Sequence, residues 1–339
     1  MVMYRGNPEH TGVIAASPVK SFRTVEWKFR VGNWVFASPL AFNDVVYVAG
    51  LNGYLFALNY QTGEPIWRFR AEGNIFSTPA ISEKQVILAD GKGNIYGLDI
   101  VTGKRLWHYG AGSRIVASPA LYDDRVYLGA VNGNFYALKA ASGQVDWTFK
   151  AENGISSSAA VQGNTIYFGS WDGKLYAIDR KKGKLKWTFA TENWIISSPT
   201  VINKTVYFGS LDGRFYAVRA DKGQKVWEFD TGEQIRSSPA VAKDMVYFGS
   251  LNGIFYALDA RSGQEIWRFP TDDQIDSSPV VVNGVVYFGG VNGVLYALEA
   301  HTGKLLWQFE TGGRIYASPM VYRGMVFVGS RDGYLYALR

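Results

Sequence analysis

The sequence predicts an all-β fold, an eight-bladed β-propeller with four antiparallel strands per blade. Three columns of residues carry that reading. Tryptophans recur forty residues apart, at Trp27, Trp67, Trp107, Trp147, Trp187, Trp227, Trp267 and Trp307. A proline column keeps the same period at Pro39, Pro79, Pro119, Pro199, Pro239, Pro279 and Pro319, with Ala159 in the remaining slot. So does a glycine column at Gly53, Gly93, Gly133, Gly173, Gly213, Gly253, Gly293 and Gly333. No repeat gains or loses a residue, and a fixed period of this length is the signature of a repeat architecture.

Each repeat reads as four short strands. In the seventh, residues 275–282 form the first, 285–289 the second, 294–299 the third and 304–310 the fourth, and the middle two alternate with period two. Asn292-Gly293 separates the second and third strands. That pair predicts a type I′ hairpin, which needs positive φ at both central residues. Asn52-Gly53, Asn132-Gly133, Asp172-Gly173, Asp212-Gly213, Asn252-Gly253 and Asp332-Gly333 repeat the signal, whereas Lys92-Gly93 predicts a looser turn. Thr302-Gly303 and its equivalents join the third strand to the fourth.

Four antiparallel strands every forty residues make a propeller blade. An open stack of such units is the competing arrangement, and the chain ends decide between them. The first repeat begins at a fourth strand, 25–30, and the last stops after a third strand, 334–339. Pairing these two completes an eighth blade, latches the ring by a velcro closure and removes the exposed edges of an open array. Residues 1–23 read as a lead-in that packs on the ring, and 24–339 as a single propeller domain.

The tryptophans fall on the outermost strands. They read as structural docking residues between blades: an indole buries roughly 150–250 Å² and its N–H calls for a carbonyl on the neighbouring blade. The prolines fall on the innermost strands, an edge where a missing N–H costs no ladder bond.

Composition excludes several chemistries. The chain of 339 residues has no cysteine, hence no disulfide, thiolate nucleophile or cysteine-ligated metal. Its net charge of +6 is spread through the repeats. That spread reads as solvated surface, with an anionic partner as the competing reading. No run approaches the ~18 apolar residues of a membrane span, and residues 1–12 carry no basic-then-apolar signal region. His10, His108 and His301 are scattered without metal-ligand spacing. The Ser-Ser-Pro runs repeat around the ring, so their serines read as structural. No calcium loop or phosphate loop occurs. No catalytic residue, metal, cofactor or nucleic-acid partner is expected.

The segment Ala257-Leu258-Asp259-Ala260-Arg261-Ser262-Gly263-Gln264-Glu265-Ile266-Trp267 resembles the tryptophan-docking motif of the pyrroloquinoline-quinone (PQQ) propeller repeat, A-x-D-x-x-[ST]-G-x-x-x-W. Ala177, Asp179, Gly183 and Trp187 match it in the fourth blade, and the seventh places Glu299 at the acidic position. The resemblance covers residues 24–339, and Arg5 to Gly12 is similar to the segment that opens such propellers. It implies the eight-bladed fold. Its functional implication is broad, because the family includes quinoprotein dehydrogenases, BamB-like propellers of outer-membrane assembly and sensor domains. The dehydrogenase branch implies PQQ, calcium, an adjacent-cysteine disulfide and long insertions with the metal ligands. This chain has no cysteine and only short loops, which points to the non-enzymatic BamB-like branch.

Comparing the repeats with one another separates scaffold from freedom. One variable column reads Trp34, Asn74, Arg114, Gly154, Trp194, Gln234, Gln274, Arg314. A second reads Phe36, Phe76, Val116, Ser156, Ile196, Arg236, Asp276, Tyr316. Between them a strictly apolar column, Val35 to Ile315, points into the blade. Strand alternation therefore turns the variable columns toward the channel or its mouth. The loops between second and third strands open on the same face and add Trp171 and Arg331. The candidate binding face is thus Trp34, Phe36, Phe76, Arg114, Trp171, Trp194, Arg236, Asp276, Arg314, Tyr316 and Arg331. Aromatics with arginine are enriched at interface hot spots. The competing readings are aromatics that merely cap a channel and an Arg236–Asp276 pair that only satisfies itself.

The expected function is a non-catalytic scaffold or recognition propeller that binds a protein or peptide partner on that face. The alternatives are a small-molecule or glycan sensor with its site at the channel mouth, and a PQQ-dependent quinoprotein relative. The chain is expected to be a monomer with an extracytoplasmic setting, periplasmic or cell-surface, in a prokaryote. Repeats this uniform fit recent amplification of one unit or deliberate design.

Overall fold

The computed structural model describes residues 1–339. Its 32 strands form eight four-stranded antiparallel sheets without a helix, the eight-bladed propeller that the period predicts. The eighth blade is closed by the two chain ends. Val25–Arg30 pairs with Tyr334–Leu338, from Val25 opposite Leu338 to Arg30 opposite Tyr334, with a bulge between Val25 and Trp27. Arg339 N–H donates to the Thr24 carbonyl at 3.0 Å, extending the seam by one residue.

Three local expectations need correction. In the seventh blade the strands are Val280–Val282, Val285–Gly289, Val294–Glu299 and Leu305–Glu310. The first is far shorter than 275–282. The residues before it lie against the preceding blade instead, with Ile275 N–H on the Ser250 carbonyl at 3.2 Å, and Pro279 has no N–H for a ladder. The Asn292-Gly293 turn is not type I′ either, because only Gly293 has positive φ, 85°. Gly293 N–H donates to Gly290 O at 3.0 Å and Gly290 N–H to Val294 O at 2.8 Å, a type I turn closed by a glycine bulge. Asn292 is used for its side chain, whose Oδ1 accepts Val294 N–H at 3.1 Å. The Lys92-Gly93 turn is as tight as the others. Asp90 Oδ1 takes over that role and accepts the N–H groups of Lys92 and Asn94 at 2.9 Å each. Positive φ at both central residues occurs at the opposite end of the blades, in Asn43-Asp44, Asp123-Asp124 and Asn203-Lys204.

The core lies in the seams between blades rather than inside any one of them. Phe255 stacks on Phe288 at 4.0 Å and Phe215 on Phe248 at 4.1 Å, each pair bridging two blades. The tryptophans lock the same seams from outside. Trp27 Nε1–H donates to Tyr60 O, Trp67 to Ile100 O, Trp107 to Ala140 O and Trp147 to Arg180 O. Trp187, Trp227 and Trp267 donate likewise to the carbonyls of Ala220, Ala260 and Ala300. The motif glycine is the counterpart of this docking. A Cβ on Gly103 would lie 2.5 Å from the Trp67 ring, so the glycine of one blade leaves room for the tryptophan of the one before. The motif aspartate holds the turn itself: Asp259 Oδ1 accepts from Arg261 N–H, Ser262 N–H and the Ser262 hydroxyl.

Residues 2–14 cross the lower end of the channel. The carbonyls of Pro8, Glu9, Thr11 and Gly12 accept the inner-edge N–H groups of Val161, Val201, Val241 and Val281 at 2.7–2.9 Å. Four exposed strand edges thereby find backbone partners. The chain then runs outward to Val19 and Phe22, against Trp307.

Candidate functional site

Each innermost strand enters from the upper mouth of the channel, so its early residues are layered by depth. The column of Trp34 forms the rim, where Trp34 and Trp194 are 43% and 45% exposed. One layer down, Phe36, Phe76, Val116, Ser156, Ile196, Arg236, Asp276 and Tyr316 form the wall of a cavity of about 530 Å³. Below them lies a belt of eight hydroxyls, Ser38, Thr78, Ser118, Ser158, Ser198, Ser238, Ser278 and Ser318, with Tyr4 from the lead-in. Blades eight and four lie half a turn apart, as do two and six, so the aromatic arc of Tyr316, Phe36 and Phe76 faces a wall that includes Ser156, Ile196 and Arg236.

The structure brings the sequence-selected residues together in three groups. In the largest, the Arg331 guanidinium lies 3.4 Å from the centre of the Trp34 ring and 5.6 Å from that of Tyr316. Tyr316 stacks on Phe36 at 5.0 Å, Phe36 meets Phe76 at 6.3 Å, and Arg114 covers Phe76 at 4.7 Å. The second group is Trp171 stacked on Trp194 at 5.1 Å and 11°. Trp171 folds over the vacant rim position of its own blade, where a Cβ on Gly154 would lie 2.6 Å from its ring, and donates its Nε1–H to Ser156 Oγ at 2.8 Å. Trp34 and Trp194 stand four blades apart, on opposite sides of the mouth. The third group is the Arg236–Asp276 pair at a loose 3.6 Å. Burial raises the Asp276 carboxyl above its ordinary range, and Arg236 pulls the other way. Arg314 stands exposed on the rim without an ion pair.

The hydroxyl belt is built by a single repeated bond. Ser38 N–H donates to Thr78 Oγ1 at 2.9 Å, Thr78 N–H to Ser118 Oγ at 3.0 Å, and the pattern continues through Ser118, Ser158, Ser198 and Ser238. Ser318 N–H donates to Ser38 Oγ across the closure. These oxygens act as acceptors, so their own O–H groups remain available as donors, apart from that of Ser278, which pairs with Tyr4. The serine before each belt residue is a different matter. Ser197, for example, is buried, accepts Gly209 N–H and donates to Ser237 O, which is purely structural.

Two lead-in residues at the axis lie outside the candidate binding face read from the sequence. The Tyr4 hydroxyl bonds to Ser238 and Ser278 at 3.2 and 3.0 Å. The Arg5 guanidinium is buried and donates to the carbonyls of Pro239 and Pro279, without a carboxylate partner. Burial lowers its pKa to about 10. Nothing repeats these residues, so no period could single them out. A larger groove of about 1090 Å³ lies on the lower face, walled mainly by apolar side chains such as Val13, Ile14, Met245 and Leu306.

The side chains present do not fit PQQ with calcium. No three histidine, cysteine or carboxylate groups converge anywhere in the chain. Asp276 is the one carboxylate in the channel wall, and Arg236 engages it.

The family described as outer membrane protein assembly factor BamB matches residues 23–151. The family described as the beta-propeller of the beta-alanine-activating enzyme matches residues 117–339. No curated protein matches the sequence. Among solved structures, BamB from Moraxella catarrhalis is 20% identical, with a TM-score of 0.79 over 93% of this chain and 99% of that one. Quinohemoprotein alcohol dehydrogenase from Comamonas testosteroni is 15% identical, with a TM-score of 0.87 over 99% of this chain and 80% of that one. The computationally designed Ika8 protein is 16% identical, with a TM-score of 0.82 over 94% of this chain and 99% of that one. Identities this low speak to the fold, and the fold is common to an assembly factor, an enzyme and a design. On the match across residues 117–339, the chain belongs to the family of the beta-alanine-activating enzyme propeller, and its eight blades are of the PQQ-like repeat.

Proposed function

We propose that this propeller is a non-catalytic recognition module whose upper face binds a protein or peptide partner. The observation that carries the reading is the pair of exposed aromatic platforms on opposite sides of one mouth, Trp34 under Arg331 and Trp194 on Trp171. Large amphipathic rings with arginine are the residues that dominate interface energetics. Each platform spans two adjacent blades at the rim, above the seams that the periodic tryptophans already lock. The likeness to the outer membrane protein assembly factor family supports a binding role and an extracytoplasmic setting in a prokaryote. No helix is long and apolar enough to cross a membrane. We take the working unit to be a monomer, with residues 1–23 as part of its ring. A cross-linking pull-down from the source cells tests the reading with wild type and a Trp34→Ala/Trp194→Ala/Arg331→Ala variant. A partner recovered only by wild type is expected, and identical recovery by both proteins sinks it.

A second reading, a small-molecule sensor, is favoured by the 530 Å³ cavity between the platforms. That volume lies within the usual range of ligand pockets.

A further inference from the structure

The channel cavity is polarised both around its wall and along its depth. Around the wall, Tyr316, Phe36 and Phe76 form a continuous aromatic arc, and apolar Ile196 lies across the channel. Along the depth, the layer below is a ring of hydroxyls. The belt oxygens accept from backbone N–H groups, which leaves hydroxyl hydrogens free to turn to the axis. Tyr4 lies at the centre of this floor, where its hydroxyl donates to Ser238 Oγ and pairs with Ser278 Oγ, holding two belt hydroxyls in place.

A positive charge stands beneath it. Arg5 is buried, its guanidinium bonds only to Pro239 O and Pro279 O, and its Nε has no partner at all. Those two carbonyls belong to the residues that directly follow the floor serines Ser238 and Ser278. A buried cation without a counter-charge, under a ring of hydroxyl donors, favours an anion above it. The one carboxylate in the wall, Asp276, is engaged by Arg236 one layer higher and does not reach the floor bonds.

We propose that the cavity binds a carboxylate carried on an aromatic or branched apolar body. The carboxylate rests on the hydroxyl floor above Arg5, and the body lies between the Phe36–Tyr316 stack and Ile196. A free organic acid and the C-terminal residue of a peptide share this chemistry. The inference rests on the sensor reading of the cavity and does not require a protein partner on the rim.

Calorimetry on the full chain tests it with phenylacetate, its uncharged amide phenylacetamide, and a glycyl-glycyl-phenylalanine peptide as free acid or C-terminal amide. At least one acid should bind about ten-fold more tightly than its amide, the difference one charge-assisted hydrogen bond makes. Phenylacetate binding alone assigns the site to free acids, and tripeptide-acid binding alone to peptide termini. Ile196→Trp, which fills the space for the body, should abolish the heat. Tyr4→Phe, which removes the hydroxyl that holds Ser238 and Ser278 in the floor, should weaken binding several-fold. The proposal is overturned if neither acid binds up to ~10 mM, a level that would detect Kd values in the millimolar range. It is also overturned if the amides bind as well as the acids, or if Ile196→Trp and Tyr4→Phe both bind as wild type does. Loss of the rim partner with retained acid binding, or the reverse, separates this inference from the protein-binding reading.

Discussion

Trp307 Nε1–H donates to the carbonyl of Val19 at 2.7 Å, and Val19 N–H and C=O also bond the Tyr287 hydroxyl at 2.7 and 2.9 Å. In each of the other seams the indole donates to a carbonyl 33 residues further on, as Trp267 does to Ala300. For Trp307 that position would lie beyond Arg339, the last residue of the sequence. Val19 supplies the carbonyl, and Phe22, 6.0 Å from the Trp307 ring, covers the indole where the other blades bring a turn glycine. The lead-in therefore supplies the docking carbonyl for Trp307 as well as the floor of the channel.

These two jobs separate by truncation. Deleting residues 1–16 removes the carbonyls that cap Val161, Val201, Val241 and Val281 but keeps Val19. The ring should stay folded, with a lower melting temperature, and those four amides should lose hydrogen-exchange protection relative to their ladder neighbours. Unchanged protection at the four would show that the lead-in does not cap the inner edges. Deleting through Phe22 should cost more, because Trp307 and Tyr287 are then left without their buried partner.

Glycines with the same φ but different neighbours isolate the contribution of docking. Gly103 and Gly112 both have φ of 68°, yet a Cβ on Gly103 meets the Trp67 ring at 2.5 Å and one on Gly112 meets nothing. Gly112→Ala should cost only the left-handed penalty, about 1 kcal/mol. Gly103→Ala adds the displacement of Trp67 and should cost a further ~1–3 kcal/mol in urea denaturation. Equal losses would mean that the tryptophan yields without strain.

Periodicity made the architecture legible because each scaffold duty is repeated in every blade. The docking column and the closure of 25–30 on the last strand follow directly from it. The turn type was misread because Asn-Gly serves two geometries. Here Asn292 is recruited for its side-chain bond, and only Gly293 takes positive φ. The wall and rim were legible as columns that vary, and strand alternation gave their direction. The hydroxyl belt repeats as faithfully as the scaffold and so reads as scaffold. Tyr4, Arg5 and Val19 occur once, outside the repeat, where comparison between blades has nothing to compare.

The two kinds of tryptophan should behave oppositely on truncation. Trp67 is packed in a seam with its indole N–H on Ile100 O, so Trp67→Ala should cost about 3–5 kcal/mol. Trp34 and Trp194 are nearly half exposed and their indole N–H groups make no bond across a seam. Their alanine variants should stay within about 0.5 kcal/mol of wild type. Chemical denaturation measures both. A large loss at Trp34 or Trp194 would show that the rim aromatics are structural caps and would remove the main support for a binding face.

His10 predicts how the fold responds to mild acid. Its ring is buried beside Tyr4, 5.7 Å between centroids, and its Nδ1 has no partner. Burial first, and the nearby Arg5 charge second, lower its pKa to about 3, against a weaker opposing pull from the Pro199 carbonyl. In the unfolded chain the imidazole titrates at about 6.5. Between those values the unfolded state binds a proton that the folded state refuses, so stability must fall as pH drops through 6.5 toward 3. The slope for one proton is at most about 1.4 kcal/mol per pH unit. The window from about pH 6.5 to 5 isolates the effect, because it lies above the ordinary carboxylate range. His10→Asn keeps a residue that tolerates the φ of 58° and removes the imidazole. Urea denaturation across that window should show wild type losing stability with acid and the variant nearly flat. Parallel slopes for the two proteins would place the proton uptake elsewhere.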